Sequence, residues 1–188
     1  MNQKLADQIF NAEGRVKNYR KAFPLLLEMA QAADPQAENL VGYCYSQGLG
    51  VERDYAQAFD WYSRAAAHGL TEAMANLAQM YEEGLGTERD DRAAFQWYMR
   101  AARRGDPWSQ NNLGVMYLDG CGVPQHVARG IEWLKKAAAQ DDPSALYNLG
   151  NAYLDGEGVR KNPAAAMRHF RKAAALGHAR ARKAIRSK

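Results

Sequence analysis

Residues 77–105 read LAQMYEEGLGTERDDRAAFQWYMRAARRG, and this stretch predicts a short helix followed by a tight turn and a second helix. In the first helix Leu77, Met80 and Tyr81 follow the i, i+3, i+4 spacing of one apolar helical face. Gly84 ends that helix, because helix C-termini favour a left-handed residue and glycine adopts that conformation at low cost.

The second half of the stretch predicts a helix that folds back on the first. Asp90 is placed as its N-cap, and Gly105 lies just beyond its end. The apolar stripe between them is Ala94, Phe95, Tyr98, Ala101 and Ala102. The unit is therefore a helical hairpin built around a glycine turn.

The same sequence pattern recurs every 36 residues on both sides of this stretch. The tyrosine of the first helix recurs as Tyr45, Tyr81, Tyr117 and Tyr153. The turn glycines recur as Gly48, Gly84, Gly120 and Gly156, and as Gly50, Gly86, Gly122 and Gly158. A fixed period in this range is the sequence signature of a stacked solenoid. The glycine pair therefore predicts a repeated turn rather than a phosphate cradle, which would need a strand before it.

These columns, together with the Trp-Tyr and Ala-Ala pairs of the second helices, resemble the Sel-one-like repeat family, a relative of tetratricopeptide repeats. Four units match its pattern: 34–69, 70–105, 106–141 and 142–177. The resemblance implies an all-α, right-handed solenoid of antiparallel helix-turn-helix repeats with a 36-residue period, used to hold other proteins. Three positions depart from the pattern: His126 at a helix cap, Asp141 at a final glycine and His169 at a tryptophan.

We predict a single repeat domain over residues 1–188. Residues 1–33 read as a degenerate first repeat in the same register, and residues 178–188 as a C-terminal capping helix. Pro24 falls inside the second helix of the degenerate repeat, where it removes a hydrogen bond and crowds the preceding turn. We therefore expect a kink or a late helix start there.

The composition favours a cytoplasmic protein without a membrane span. The chain has no run of roughly 20 apolar residues, as a spanning helix requires, and its N-terminus has no apolar secretory stretch. Cys44 occupies a predicted core column and Cys121 a turn two repeats away, which is too far for a disulfide. We expect both thiols to be reduced.

Catalytic and metal-binding patterns are missing from the sequence. The chain contains no His-Glu-x-x-His, Cys-x-x-Cys, Gly-x-Ser-x-Gly or Ser-x-x-Lys motif. Its four histidines occupy unrelated columns, and none has a second ligand at helical spacing. We therefore expect no enzyme activity, no cofactor and no metal site.

Candidate partner contacts come from the face of the first helices that lies opposite the buried columns. In the family that the chain resembles, first helices line the concave side, which implies that this face forms a concave groove. Its candidate residues are Tyr43, Asn76, Gln79, Trp108, Asn111, Asn112, Val115, Tyr147, Asn148 and Asn151. Trp108 and Tyr147 are large aromatics at non-core positions, a residue type enriched at interface hot spots. For Trp108, packing against a neighbouring helix is an equally weighted alternative.

The asparagines at one column of the first helices form a ladder that has two interpretations. Asn76, Asn112 and Asn148 can donate to and accept from the backbone of a bound peptide. They can also tie neighbouring repeats together, and this structural interpretation is the favoured one.

The sequence therefore predicts a non-catalytic interaction scaffold or adaptor that holds a segment of another protein or peptide in its groove. From Gly158 onward the chain has ten Lys or Arg and no Asp or Glu, while the rest has fifteen against twenty-one, a net charge of −6. The basic end raises one alternative, a nucleic-acid-associated factor, although the acidic body argues against it. Two further alternatives are a carbohydrate or peptidoglycan binder and, by resemblance to bacterial relatives, the immunity partner of a secreted toxin.

Overall fold

A computed structural model of the chain describes residues 18–186, and in this range the chain forms ten α-helices and no β-strand. The helices are α1 (Tyr19–Gln31), α2 (Pro35–Gln47), α3 (Tyr55–Ala67), α4 (Thr71–Glu83), α5 (Asp91–Arg103), α6 (Pro107–Asp119), α7 (Val127–Ala139), α8 (Pro143–Asp155), α9 (Pro163–Ala175) and α10 (Ala179–Arg186). Pairs of 13-residue helices follow one another through glycine turns. This arrangement confirms the predicted all-α solenoid of helix-turn-helix repeats.

The helices divide into two compact units. The first ends at Asp90 and contains α1 to α4, and the second begins at Asp91 and contains α5 to α10. The single domain that the sequence predicts over residues 1–188 stays a prediction. Of the degenerate repeat 1–33, only α1 and the residues next to it lie within the described part of the chain.

In the first unit, consecutive helices pack on one another from α1 to α4. Its core includes Leu26, Val41 and Cys44, whose side chains are fully buried. The helix α1 begins at Tyr19, with the Asn18 side chain accepting a hydrogen bond from the Lys21 backbone. The helix runs through Pro24, so of the two expected outcomes the late helix start is wrong and the kink stays a prediction. The cap at Asn18 fixes the start of α1 well before the proline.

In the second unit, α6 packs on α7, α8 on α9, and α9 on α10. The core of its last repeats contains Ile131, Leu134 and Leu149. Ala181 of α10 belongs to the same core and is fully buried. The C-terminal helix therefore covers apolar surface that the last repeat would otherwise expose.

The glycine turns have the left-handed geometry that the sequence predicts. Gly122, in the turn between α6 and α7, has a φ of 68°. A Cβ atom at this position would overlap the backbone carbonyl oxygen of Asp91 at the start of α5. Gly122 is thus required both by the backbone conformation and by the close approach of the neighbouring repeat.

Aromatic pairs connect consecutive repeats inside each unit. The rings of Phe23 and Tyr45 meet edge to face with centroids 5.4 Å apart. The pairs Phe59–Tyr81, at 5.1 Å, and Phe95–Tyr117, at 5.3 Å, repeat this contact. Three members of the tyrosine column, Tyr45, Tyr81 and Tyr117, therefore make ring contacts between repeats, in a geometry that the ring quadrupoles favour.

Two of the three departures from the repeat pattern keep the local geometry. His126 replaces the usual Asp or Asn cap, and its Nδ1 accepts a hydrogen bond from the Arg129 backbone at 3.3 Å. Asp141 replaces a glycine and still adopts a left-handed φ of 62°. Aspartate tolerates this conformation better than most residues, so the turn survives the substitution.

Candidate functional site

The predicted partner contacts lie on α2, α4, α6 and α8, and we refer to the side of these helices that carries them as the first-helix face. Of these residues Asn111 is buried. In the first unit this face contains a cavity of about 230 Å³. The cavity is lined by Tyr43, Ser46, Gln47, Tyr55, Tyr62, Asn76, Gln79, Met80, Glu83 and Leu85. It brings together three of the predicted residues, Tyr43, Asn76 and Gln79, with side chains that the sequence interpretation did not include.

Hydrogen bonds hold the polar wall of this cavity in place. Gln79 Nε2 donates to Glu83 Oε1 at 2.7 Å, and Asn76 Nδ2 donates to Asn39 Oδ1 at 3.0 Å. The Tyr43 ring is 41% exposed, which makes it one of the few large exposed hydrophobic side chains in the described part of the chain. An exposed ring beside fixed amides can stack on a ligand while the amides orient it.

The buried groups next to the cavity stay uncharged at neutral pH. Burial raises the pKa of Tyr62 to about 12, although the hydrogen bond with Ser46 opposes the shift. Burial also raises the pKa of Cys44 to about 11, so its thiol stays protonated and unreactive. The cavity therefore offers ring faces, hydroxyls, amides and the Glu83 carboxylate, which suit binding better than nucleophilic chemistry.

In the second unit the two predicted aromatic anchors, Trp108 and Tyr147, both have ring partners in the chain. Trp108 is half-buried and meets Tyr98 edge to face with centroids 5.6 Å apart. Tyr147 is half-buried and stacks on His178 with centroids 4.6 Å apart. Part of each ring therefore packs inside the molecule, and only the remaining surface is accessible to a partner.

The asparagine ladder makes side-chain contacts between adjacent first helices. Asn148 Nδ2 donates to Asn111 Oδ1 at 2.9 Å, and Asn111 Nδ2 donates to Asn112 Oδ1 at 3.2 Å. In the first unit the Asn76–Asn39 bond has the same spacing along the chain. The Asn148–Asn111 and Asn76–Asn39 bonds agree with the structural interpretation of the ladder, since each of these two links one repeat to the next. The remaining candidates Val115 and Asn151 are half-buried.

A second set of polar contacts, which the sequence interpretation missed, links the two helices of a repeat. Glu38 is almost completely buried, and its Oε2 lies 2.7 Å from His68 Nδ1. Two repeats further along the chain the same columns hold Gln110 and Gln140, whose side-chain amides meet at 2.9 Å. The sequence did contain a signal for this contact. The two columns lie 30 residues apart, and where one changes from Glu38 to Gln110, the other changes from His68 to Gln140.

Cations cover the tryptophans of the second helices. Arg64 lies over Trp61, Arg100 over Trp97 and Lys136 over Trp133, with distances to the ring centroids of 4.5, 4.3 and 3.9 Å. The fourth repeat breaks this pattern, because His169 replaces the tryptophan and Lys172 pairs with Asp141. The i, i+3 spacing of an aromatic and a basic residue was the sequence signal for these pairs.

Residues 18–186 contain neither a metal-ligand cluster nor a membrane-spanning helix. No three His, Cys, Asp or Glu side chains in this range cluster as metal ligands would. None of the helices described here combines the length and the apolar character needed to cross a lipid bilayer. Both cysteines are free thiols, with Cys44 buried and Cys121 partly exposed.

Comparison with known proteins identifies the repeats. The family model described as Sel1 repeat matches residues 35–70, 71–106, 109–142 and 143–178. A search of curated proteins finds no match. Among solved structures, a Sel1 repeat protein from Oxalobacter formigenes is 27% identical, with a TM-score of 0.86 over 92% of this chain and 68% of that chain.

Two further solved structures resemble the chain. A protective antigen of uropathogenic Escherichia coli strains with an SLR fold is 31% identical, with a TM-score of 0.84, and covers 97% of this chain. The present chain spans only 39% of that antigen's length. An immunity protein from Pseudomonas aeruginosa is 19% identical, with a TM-score of 0.59 over 95% of this chain and 66% of that chain. The last similarity concerns the fold alone. With four matched repeats covering most of its length, the chain belongs to the Sel1 repeat family.

Proposed function

We propose that this protein is an interaction scaffold that binds an extended segment of another protein along its first-helix face, the predicted concave groove. Sel1 repeat proteins generally mediate protein–protein interaction, and the family is generally a non-catalytic scaffold fold. The observation that carries the proposal is the cavity in which Tyr43, Asn76 and Gln79 lie together. An exposed aromatic ring beside fixed amides is the combination that anchors peptide side chains and backbone.

The main anchor of the proposed contact lies in the first unit, and the first helices of the second unit carry candidate positions of their own. Tyr43 is the anchor, because its ring is exposed and the cavity beside it can receive a side chain. Trp108 and Tyr147 contribute the accessible parts of their half-buried rings. Asn151 and Val115 extend the face at partly exposed positions. Since Trp108 and Tyr147 also pack internally, we assign them less of the binding free energy than Tyr43.

The chemistry of the cavity supports one alternative, a carbohydrate. Tyrosine rings stack on sugar faces, and Asn, Gln and Glu side chains bind hydroxyls, so Tyr43, Asn76 and Glu83 also suit a glycan ligand. A glycan would use the cavity alone. A protein segment would in addition need positions outside the cavity on the same face.

Site-specific crosslinking in the source cells tests the proposal. The photoreactive residue p-benzoylphenylalanine replaces Tyr43 in one variant and Asp60 in a control, because Asp60 is exposed on the second helix α3. We expect a discrete protein adduct from position 43 and none from position 60. An adduct from position 60 alone, or a Tyr43 variant that crosslinks only to glycan, contradicts the proposal.

The purified partner then allows a quantitative test. Tyr43→Ala should weaken binding by about thirtyfold, the effect of removing roughly 2 kcal/mol at a central aromatic anchor. Asp60→Ala should leave the affinity unchanged. Circular dichroism of both variants checks that the helices are intact. Equal affinity of the Tyr43→Ala variant and the unaltered protein would exclude Tyr43 as the anchor.

A further inference from the structure

We propose that the second-helix side of the last two repeats, formed by α7 and α9 with α8 as its floor, is a separate site for an acidic segment with an apolar side chain. The site is a cavity of about 350 Å³ in the second unit. It lies on helices other than those that carry the Tyr43 cavity and adds a second partner class to the scaffold.

The cavity arises where the repeat pattern is broken. In the preceding repeats the column of His169 holds tryptophan, and the basic residue three positions later covers that ring. His169 is smaller than tryptophan, and its ring stacks on Tyr153 with centroids 5.4 Å apart and an interplanar angle of 9°. Both rings line the cavity, so the substitution of tryptophan by histidine leaves open space that a ligand side chain can fill.

The floor and the rim of the cavity have opposite chemistry. Leu146 and Leu149 of α8 form an apolar floor with Ala138 of α7 beside them, and each is at least nine-tenths buried. The exposed side chains Lys135 and Arg168 line the rim. An apolar group bound to the floor would therefore bring any negative charges beside it close to these cations.

A second opening of about 670 Å³ continues the basic surface. It shares Lys135 and Tyr153 with the first cavity and adds Arg160 and Lys161. Residues 91–188 contain seventeen Lys or Arg against eight Asp or Glu, a net charge of +9. The charge of the whole unit thus favours an acidic occupant, and the extended opening favours a chain segment over a small ion.

One carboxylate already occupies the edge of this site. Lys172, which lines the cavity, forms an ion pair with Asp141, and both side chains are more than half exposed. An acidic residue of a bound segment would compete with Asp141 for Lys172. Removal of the Asp141 charge should therefore strengthen binding, an effect opposite to that expected for a residue with only a structural role.

His169 provides a spectroscopic reporter inside the site. Burial lowers the pKa of His169, and Arg168 and Lys172 lower it further, so the ring is neutral at pH 7. Lys135 of α7 and Tyr153 of α8 also face the cavity. A carboxylate bound among these groups would raise the pKa of His169, because it stabilises the imidazolium form.

Fluorescence anisotropy with a labelled peptide tests the proposal. The probe is a fluorescein-labelled peptide of Asp and Glu with one leucine, and its control carries serine in place of leucine. We expect the leucine peptide to bind about tenfold or more tightly than the serine peptide, because only leucine reaches the apolar floor. A titration of His169 by NMR should move to higher pH in the presence of the leucine peptide.

Matched variants locate the binding to the cavity. His169→Trp restores the residue of the other repeats and fills the space, and Arg168→Glu reverses a rim charge; each should weaken binding about tenfold or more. Arg171→Glu makes the same charge change on α9 at an exposed position that lines neither cavity, and its effect should stay below about threefold. Asp141→Asn should tighten binding by about two- to threefold.

Several outcomes would overturn the proposal. One is equal affinity for the leucine and serine peptides, because the apolar floor would then play no part. Another is unchanged binding to the His169→Trp variant with a native circular dichroism spectrum. A third is binding of a DNA duplex or of phosphatidylserine vesicles when neither peptide binds, which would assign the basic surface to phosphate groups instead.

Discussion

At the scale of single residues, Ala33 and Asp141 show how the repeat tolerates exceptions. Both have a φ of 62°, and among residues 18–186 they are the non-glycine residues with positive φ. They occupy the column in which the other repeats have Gly69, Gly105 and Gly177. From the sequence we expected a glycine just beyond the helix end at this column, without any measure of the strain at Ala33. Among these residues only Ala33 has neither the conformational freedom of glycine nor a polar side chain.

Ala33→Gly is expected to stabilise the protein. An alanine in the left-handed region costs about 1–2 kcal/mol, and the substitution by glycine removes this cost. Glycine also increases the entropy of the unfolded chain, which offsets about 0.5–1 kcal/mol of the gain. The net gain should be about 0.5–1 kcal/mol in the free energy of unfolding, measured by urea denaturation. Asp141→Gly is the control: it should gain less, because it also removes the ion pair with Lys172. A loss of stability in the Ala33→Gly variant would contradict this account.

At the scale of helices, the edge-to-face ring pairs connect one repeat to the next. Phe95 on the second helix of one repeat meets Tyr117 on the first helix of the next. At the following step Ile131 replaces the phenylalanine, and Tyr153 stacks on His169 of its own repeat instead. The tyrosine column was evident from the sequence. The change of ring partner was not, because it depends on how individual side chains pack and not on the period.

A double-mutant cycle measures the ring contact. The variants Phe95→Leu, Tyr117→Leu and their combination should give a coupling free energy of about 0.5–1.5 kcal/mol, as edge-to-face pairs do. The matched cycle of Ile131→Leu and Tyr153→Leu should give a coupling near zero, because no ring faces Tyr153 from position 131. Thermal or urea unfolding provides both values. Equal couplings in the two cycles would show that general packing, and not the ring geometry, joins the repeats.

The start of helix α10 should make stability depend on pH. His178 Nδ1 accepts a hydrogen bond from the Ala181 backbone at 3.2 Å, which requires the neutral ring. Burial and Arg180 lower the pKa of His178 from its ordinary value of 6.5, although Asp142 opposes the shift. As the pH falls through 6.5, the unfolded chain binds a proton before the folded protein does, so the free energy of unfolding decreases.

His178→Asn tests this dependence. Asparagine caps a helix without titrating, so the variant should lose less stability than the unaltered protein between about pH 7.5 and about pH 5.5. His169 contributes in the same direction, since its pKa is also lowered, and the dependence should therefore shrink rather than vanish. Urea denaturation at the two pH values gives the comparison. An unchanged pH dependence would exclude His178 as a contributor.

At the scale of the molecule, the period of the sequence was sufficient to predict the fold, whereas the candidate site required side-chain packing. Helix positions follow from the columns because packing repeats at every unit. Trp108 and Tyr147 were candidate anchors from the sequence, with packing as an equally weighted alternative for Trp108, and their rings meet Tyr98 and His178. Neither contact belongs to a repeated column of aromatics. Such pairings cannot be read from the period, since each depends on at least one aromatic side chain that occurs once in its column: Trp108 in one contact, Tyr147 and His178 in the other.

Removal of residues 178–188 should lower the solubility and the thermal stability of the protein. Ala181 is fully buried in the core shared with Ile131 and Leu149, so truncation exposes that apolar surface. The variant with Arg180→Glu and Arg186→Glu keeps the helix and changes only exposed charges, and it should stay folded and soluble. Light scattering and thermal melts compare the two. A soluble, unchanged truncation beside an unfolded charge variant would show that charge rather than burial stabilises this end.

The replacement of tryptophan by histidine in the fourth repeat also has an optical consequence. The four tryptophans are Trp61, Trp97, Trp108 and Trp133, so residues 142–177 contain none. Tryptophan emission therefore reports the unfolding of the preceding repeats and does not detect the unfolding of the last one. Circular dichroism, in contrast, detects every helix. In a repeat protein, in which each unit is stabilised by its neighbours, a terminal repeat can open before the others. Fraying of the fourth repeat would then appear as a loss of ellipticity at unchanged emission, and His169→Trp would make that step visible to fluorescence.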